Sequence, residues 1–107
     1  MAWIAGYRFA LTAALVACTA GARSQAEDAG KALFTGGATP PCIECHTLKD
    51  ADAMGYVGPS LDELKPDARR VTNALKNGKD LMKPYPGLTE AQIDAIARYV
   101  ERASRMN

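Results

Sequence analysis

Cys42-Ile43-Glu44-Cys45-His46 is the stretch on which this sequence turns. C-x-x-C-H is the spacing of covalent c-type haem attachment. Two thiols three positions apart can each add to one of the two vinyl groups of a haem. The next residue then lies under the iron and supplies an imidazole nitrogen as an axial ligand. His46 is the only histidine of the 107 residues, so ligation by two histidines of one chain is ruled out.

Other uses of these residues lack their context. A structural zinc site takes four N or S ligands, set in separated pairs, and there is no second pair here. A thioredoxin-like redox pair needs a βαβ setting. The stretch before Cys42 is Gly36-Gly37-Ala38-Thr39-Pro40-Pro41, which is not a strand.

The third cysteine, Cys18, belongs to an N-terminal segment, residues 1–26, that reads as a secretory signal. Arg8 gives a charged start. Phe9 to Ala17 is apolar but far shorter than the roughly 20 residues that span a bilayer. Ser24-Gln25-Ala26 offers a small-residue cleavage site, with Glu27 as the new first residue. A second reading competes: Leu15-Val16-Ala17-Cys18 has the form of a lipobox, and cleavage before Cys18 would leave a lipidated cysteine. Only in that case would the protein meet a membrane. Both readings place the domain outside the cytoplasm, in the periplasm of a bacterium.

The remaining segment, residues 27–107, is one small domain with 11 Lys+Arg and 12 Asp+Glu, a formal charge of −1. Such a balance excludes a nucleic-acid-binding surface chemistry. A chain this short buries little apolar surface and calls for a staple or cofactor. The only tryptophan, Trp3, falls in the signal segment.

The pattern is all-α, with long loops marked by Gly and Pro. A first helix is predicted from Asp28 to Phe34, closed by Gly36-Gly37. Thr47 to Lys65 shows no periodicity and reads as a loop. A middle helix, Asp67 to Asn77, follows Pro66 in a first-turn position, with Gly78 to end it. The closing helix is the clearest. Thr89 and Gln92 form a capping box, and Ile93, Ile96, Ala97 and Val100 recur at helical spacing. Asp94–Arg98 and Glu101–Arg105 are spaced to pair on its surface.

The second iron ligand must come from a soft donor. Met54 is eight residues after His46, too close to reach the opposite haem face, and Met106 is at the chain end. Met82 lies in a proline-stiffened loop, Leu81-Met82-Lys83-Pro84-Tyr85-Pro86-Gly87. Thioether ligation raises the potential relative to two nitrogen ligands. Met82 is therefore the expected distal ligand, and Met54 the alternative.

Three stretches together resemble the small bacterial class I (His/Met) cytochromes c. They are Gly30-Lys31-Ala32-Leu33-Phe34; Cys42 to His46 with Gly58-Pro59-Ser60-Leu61; and Met82 to Gly87 with the helix through Val100. The resemblance implies three main helices and loops wrapped around one covalent haem c. Cys42 and Cys45 would be thioether-bonded, His46 proximal and Met82 distal. The Pro59 carbonyl would accept a hydrogen bond from the His46 ring, and Gly30 and Phe34 would pack near Tyr99. Two departures stand out. Lys83 replaces a proline common after the ligand, and the tryptophan that often contacts a haem propionate is missing. Tyr56, Arg69 and Arg70 are candidates to replace it.

A finer likeness lies in His46 to Ala51, Gly55 to Pro59 and Asp62 to Pro66. These resemble cytochromes that accept electrons from periplasmic sulfite-oxidising molybdenum enzymes. The implied function is single-electron transfer rather than catalysis, between a dehydrogenase donor and an oxidase or cytochrome acceptor. A cytochrome subunit dedicated to one dehydrogenase is an alternative. A haem ligand sensor or peroxidase-like protein is another, and it requires an open sixth site. Lys49, Lys79 and Lys83 suggest a positive rim for an acidic partner.

Overall fold

A computed structural model describes residues 25–106. Its helices are α1 (Gln25–Ala32), α2 (Leu61–Leu64), α3 (Ala68–Asn77) and α4 (Glu90–Ala103). The resemblance implied three main helices; four are present among the described residues, α2 being a single turn. The reading of residues 1–26 as a signal falls, for residues 1–24 with Cys18 and Trp3, outside the described residues; Gln25 and Ala26 belong to α1.

The frame is the pair α1 and α4, with α3 packed on α4 from another side. Gly30 makes the first contact possible. A Cβ there would lie 2.2 Å from the Ala95 carbonyl oxygen and 2.7 Å from Tyr99 Cβ. Phe34, 1% exposed, meets the Tyr99 ring edge-on with centroids 5.9 Å apart. The expected packing of Gly30 and Phe34 near Tyr99 is therefore present. The Tyr99 hydroxyl donates to Asp50 at 2.7 Å and so ties α4 to the turn beyond the C-x-x-C-H segment.

The first helix differs from its predicted bounds. Among the described residues it spans Gln25–Ala32 and widens over Leu33–Gly37 into a π-helical turn, closed by Ala38 N–H on the Leu33 carbonyl at 2.9 Å. The Thr35 hydroxyl donates to the carbonyls of Lys31, at 3.0 Å, and Ala32, at 3.3 Å. Such back-bonding competes with the regular ladder, a local effect that apolar spacing does not register.

Thr47 to Lys65 is not the irregular loop expected. Strands β1 (Thr47–Leu48) and β2 (Ala53–Met54) pair antiparallel, Thr47 with Met54 and Leu48 with Ala53. A 3₁₀ turn, Lys49–Ala51, joins them through Asp52 at φ +51°. Two-residue strands carry no readable alternation. What holds the segment is burial of Leu48, Ala51, Ala53 and Leu61.

Pro66 is not in the first turn of α3. Asp67 is the N-cap, its carboxylate accepting from Arg70 N–H at 2.8 Å, and Pro66 precedes it. The capping box of α4 is formed, with Gln92 N–H to Thr89 Oγ1 at 3.1 Å and Thr89 N–H to Gln92 Oε1 at 2.9 Å. Asp94 and Arg98 pair at 2.9 Å, but Glu101 and Arg105 do not. Glu101 instead accepts from Ala68 N–H, and Arg105 donates to the carbonyls of Pro66, Glu101 and Lys65. Free carbonyls at chain turns outcompete a solvated ion pair worth only a few tenths of a kcal/mol, about 0.2–0.5. The buried arc of α4 is also wider than the predicted stripe, adding Ala95, Tyr99 and Ala103, because the helix is covered on two sides.

Candidate haem site

The C-x-x-C-H segment folds as a 3₁₀ turn, Cys42–Glu44, begun at Pro41. Cys45 N–H and His46 N–H both point to the Cys42 carbonyl, at 3.2 and 3.0 Å. This tight turn brings both sulfurs and the imidazole to one wall of a cavity of about 540 Å³, within the usual range for cofactor pockets of roughly 300–1,000 Å³. Cys42 is buried and Cys45 half-buried. Burial, the largest cause, pushes the Cys42 thiol up to about 11.

The segment after the hairpin clasps the histidine. Gly58 N–H donates to the Cys45 carbonyl at 2.6 Å, and the Pro59 carbonyl oxygen lies 2.8 Å from His46 Nδ1. A carbonyl only accepts, so Nδ1 carries the proton and Nε2 is left for a metal. Gly58 is required by the close approach: a Cβ there would fall 2.6 Å from His46 Cε1. The hydrogen bond implied by the family resemblance is thus present in the fold.

The rest of the wall is mostly apolar. Val71, Ala74 and Leu75 contribute from α3, and Ile96 and Val100 from α4. Met82 lines the cavity from a turn closed by two backbone hydrogen bonds, Lys79 N–H to Met82 O at 2.9 Å and Met82 N–H to Lys79 O at 2.8 Å. Gly78, at φ +73°, lets this turn leave α3; a Cβ there would sit 2.7 Å from the Met82 carbonyl oxygen. Met54 is 84% exposed on β2, and Met106 is 53% exposed beyond α4; neither lines the cavity. The structure therefore brings together Cys42, Cys45, His46, Pro59 and Met82, and leaves the other two described methionines outside.

Tyr85 is a residue that sequence reading missed. Its hydroxyl donates to the Pro40 carbonyl at 2.7 Å, and its N–H to the Leu75 carbonyl at 2.8 Å. Burial, then the negative charges at Cys42, Cys45 and Glu44, raise its hydroxyl from 10 to about 12. Its position between two prolines was the only available signal. Of the three candidate propionate partners, Arg70 lines the cavity; Arg69 and Tyr56 do not, and Tyr56 is 92% exposed. Lys79 and Lys83 line it as well, whereas Lys49 lies on the hairpin turn, away from the wall.

The donor set fits a covalent haem. Two cysteines, one imidazole nitrogen, one thioether and an apolar lining converge on a single cavity. Among the described residues no other group of His, Cys, Asp or Glu could hold a metal.

Comparisons with known proteins agree. Residues 25–100 match the family model described as cytochrome C oxidase, cbb3-type, subunit III. Among solved structures the chain is similar to the c-type cytochrome SorU from Sinorhizobium meliloti. The two are 44% identical with a TM-score of 0.75, over 77% of this chain and 94% of that one. No curated protein matches the chain. Fold, cavity and both likenesses converge: the chain belongs to the c-type cytochrome family, as a small electron-transfer cytochrome c that holds its haem covalently.

Proposed function

We propose that this protein is a periplasmic monohaem carrier of single electrons, with Cys42 and Cys45 in thioether bonds, His46 as proximal ligand and Met82 as distal ligand. The bound haem supplies a reversible one-electron couple. The chain's own residues do the rest. Pro59 holds the His46 tautomer. Met82, on its closed turn, keeps the sixth position filled and favours the reduced state. The apolar walls from α3 and α4 exclude water and raise the potential further. One observation carries this reading: His46 and Met82 share one cavity with both cysteines, while Met54 and Met106 lie outside it.

Export rests on the composition of residues 1–26, and cleavage after Ala26 would leave Glu27 paired with Arg102 at 2.8 Å. Among the described residues no helix is long and apolar enough to cross a membrane. As electron donor we propose a periplasmic sulfite-oxidising dehydrogenase, on the likeness of the three short stretches between His46 and Pro66.

Two measurements test the reading. The reduced pyridine spectrum of the purified protein should be that of a haem with both vinyl groups consumed. The oxidised protein should show the weak red band of methionine–iron ligation. A free-vinyl spectrum overturns the double attachment. A missing red band overturns Met82 and favours an open-site ligand sensor.

A further inference from the structure

A carbonyl that orients a ligand is only as well placed as the chain on both sides of it. Three hydrogen bonds join the segment from Cys45 to Lys49 with the segment from Gly58 to Asp62, in one parallel register. Gly58 N–H donates to the Cys45 carbonyl at 2.6 Å, His46 Nδ1 to the Pro59 carbonyl at 2.8 Å, and Lys49 N–H to Asp62 Oδ2 at 2.8 Å. Only the last rests on a side chain that takes no part in holding haem: Asp62 does not line the haem cavity.

Pro59 has no N–H with which to fix itself. On its N-terminal side Gly58 is anchored to Cys45. On its C-terminal side, the next hydrogen bond to the opposite segment among the described residues is that of Asp62. Between them begins α2, a single turn whose N-cap, Ser60, makes no side-chain cap bond. One turn does not hold itself together in water, because nucleating a helix costs more than the first bond returns. The orientation of α2 is therefore set from outside, by burial of Leu61 and by the Asp62 carboxylate on Lys49. A charged acceptor makes this bond stronger than a neutral one. Its other end is also secured. Lys49 opens the 3₁₀ turn Lys49–Ala51, and Asp50 of that turn accepts from Tyr99 of α4 at 2.7 Å.

Resting on the proposed function, we infer that Asp62 is a positioning residue for the iron ligand: through Lys49 N–H it keeps the Pro59 carbonyl on His46 Nδ1. Without that bond α2 and Pro59 drift from the ring. Nδ1–H loses its acceptor and the imidazole becomes less basic. Ferric iron is then stabilised less, and the potential rises.

Removing a carboxylate raises the potential of a nearby haem by charge alone, so the test separates the bond from the charge. Asp62→Ala removes both, whereas Asp62→Asn removes the charge and keeps an acceptor. Lys49→Pro deletes the donor from the other side. Leu48, at φ −151° and ψ 111°, is extended and compatible with a following proline, and Lys49 heads its turn, where a missing N–H is tolerated. Lys49→Pro also removes a cation, which by charge alone lowers the potential. The sign of its shift therefore decides.

Two quantities are read on the holoprotein: the midpoint potential, and the solvent exchange of the His46 Nδ1 proton by NMR in the reduced, diamagnetic form. Asp62→Ala and Lys49→Pro should each raise the potential and speed the exchange several-fold. The double variant should add little to either, as expected of two partners in one bond. Asp62→Asn and Lys49→Gln should keep the slow exchange of the wild type. The inference is overturned if exchange is unchanged in Asp62→Ala and Lys49→Pro. Equal shifts in Asp62→Ala and Asp62→Asn with wild-type exchange also overturn it, since Asp62 would then act as a charge. So does a lowered potential in Lys49→Pro, the variant that decides alone if Asp62→Ala fails to hold haem. A wild type without a reversible one-electron wave refutes the proposed function itself, which separates the two failures.

Discussion

The Tyr85 hydroxyl donates to the Pro40 carbonyl oxygen at 2.7 Å, joining the turn that presents Met82 to the segment that leads into Cys42. Two loops far apart in sequence are thereby closed on each other beside the haem cavity. Tyr85→Phe removes the donor and leaves a carbonyl for water to satisfy. The loss should be about 0.5–1.5 kcal/mol, read by urea unfolding of the holoprotein at neutral pH.

The same group makes stability depend on alkaline pH. Its hydroxyl titrates near 12 in the fold and 10 when unfolded. A raised folded value means a contribution fully present below pH 10 and lost as pH climbs from 10 towards 12. Haem attachment removes the thiol charges but leaves burial, the largest cause. Unfolding midpoints measured across this window should fall more steeply for the wild type than for Tyr85→Phe. Parallel curves would assign the effect elsewhere.

Met82→Ala should abolish the methionine–iron band and lower the potential, because a water or nitrogen donor then replaces a thioether. Met54→Ala should leave both as they are, since Met54 is 84% exposed on β2. Loss of the band in Met54→Ala alone would reverse the assignment.

Gly58→Ala places a methyl group 2.6 Å from His46 Cε1. The ring must turn or the backbone around Gly58 must shift, at an overpacking cost of about 1–3 kcal/mol. Either motion weakens the bond from His46 Nδ1 to Pro59. A less basic imidazole stabilises ferric iron less, so the potential should rise while thermal stability falls. A stability loss with an unmoved potential would show that the histidine ring had kept its place.

Lys79 and Lys83 face the cavity on a protein whose net charge from residue 27 onward is −1. Electron transfer with the physiological partner should slow several-fold as ionic strength approaches physiological, where the Debye length is about 8 Å. Lys83→Glu should slow it further at low salt. Stopped-flow rates insensitive to both changes would place docking on an uncharged face.

The cofactor was legible from five consecutive residues, because thioether formation and iron ligation depend on local spacing that no tertiary contact can supply. The α4 helix was legible as well. Its cap, its apolar stripe and its charge order all lie within one continuous segment, and local signals there agree. Contacts between segments were legible only where the family resemblance carried them, as for Pro59 on His46 and for Gly30 and Phe34 near Tyr99; the others could not be read. The hairpin of Leu48 and Ala53 is too short for a period of two to show, and only burial against the core reveals it. The Tyr85–Pro40 bond spans 45 residues. The choice of Arg70 over Arg69 is a matter of which neighbour on one helical turn faces the cavity, and adjacent residues on a helix differ by about 100°. Sequence determined which chemical groups the protein would use. Tertiary packing decided which copies of those groups, among the three described methionines and several cations, reach the same cavity, because that depends on how α1, α3 and α4 cross.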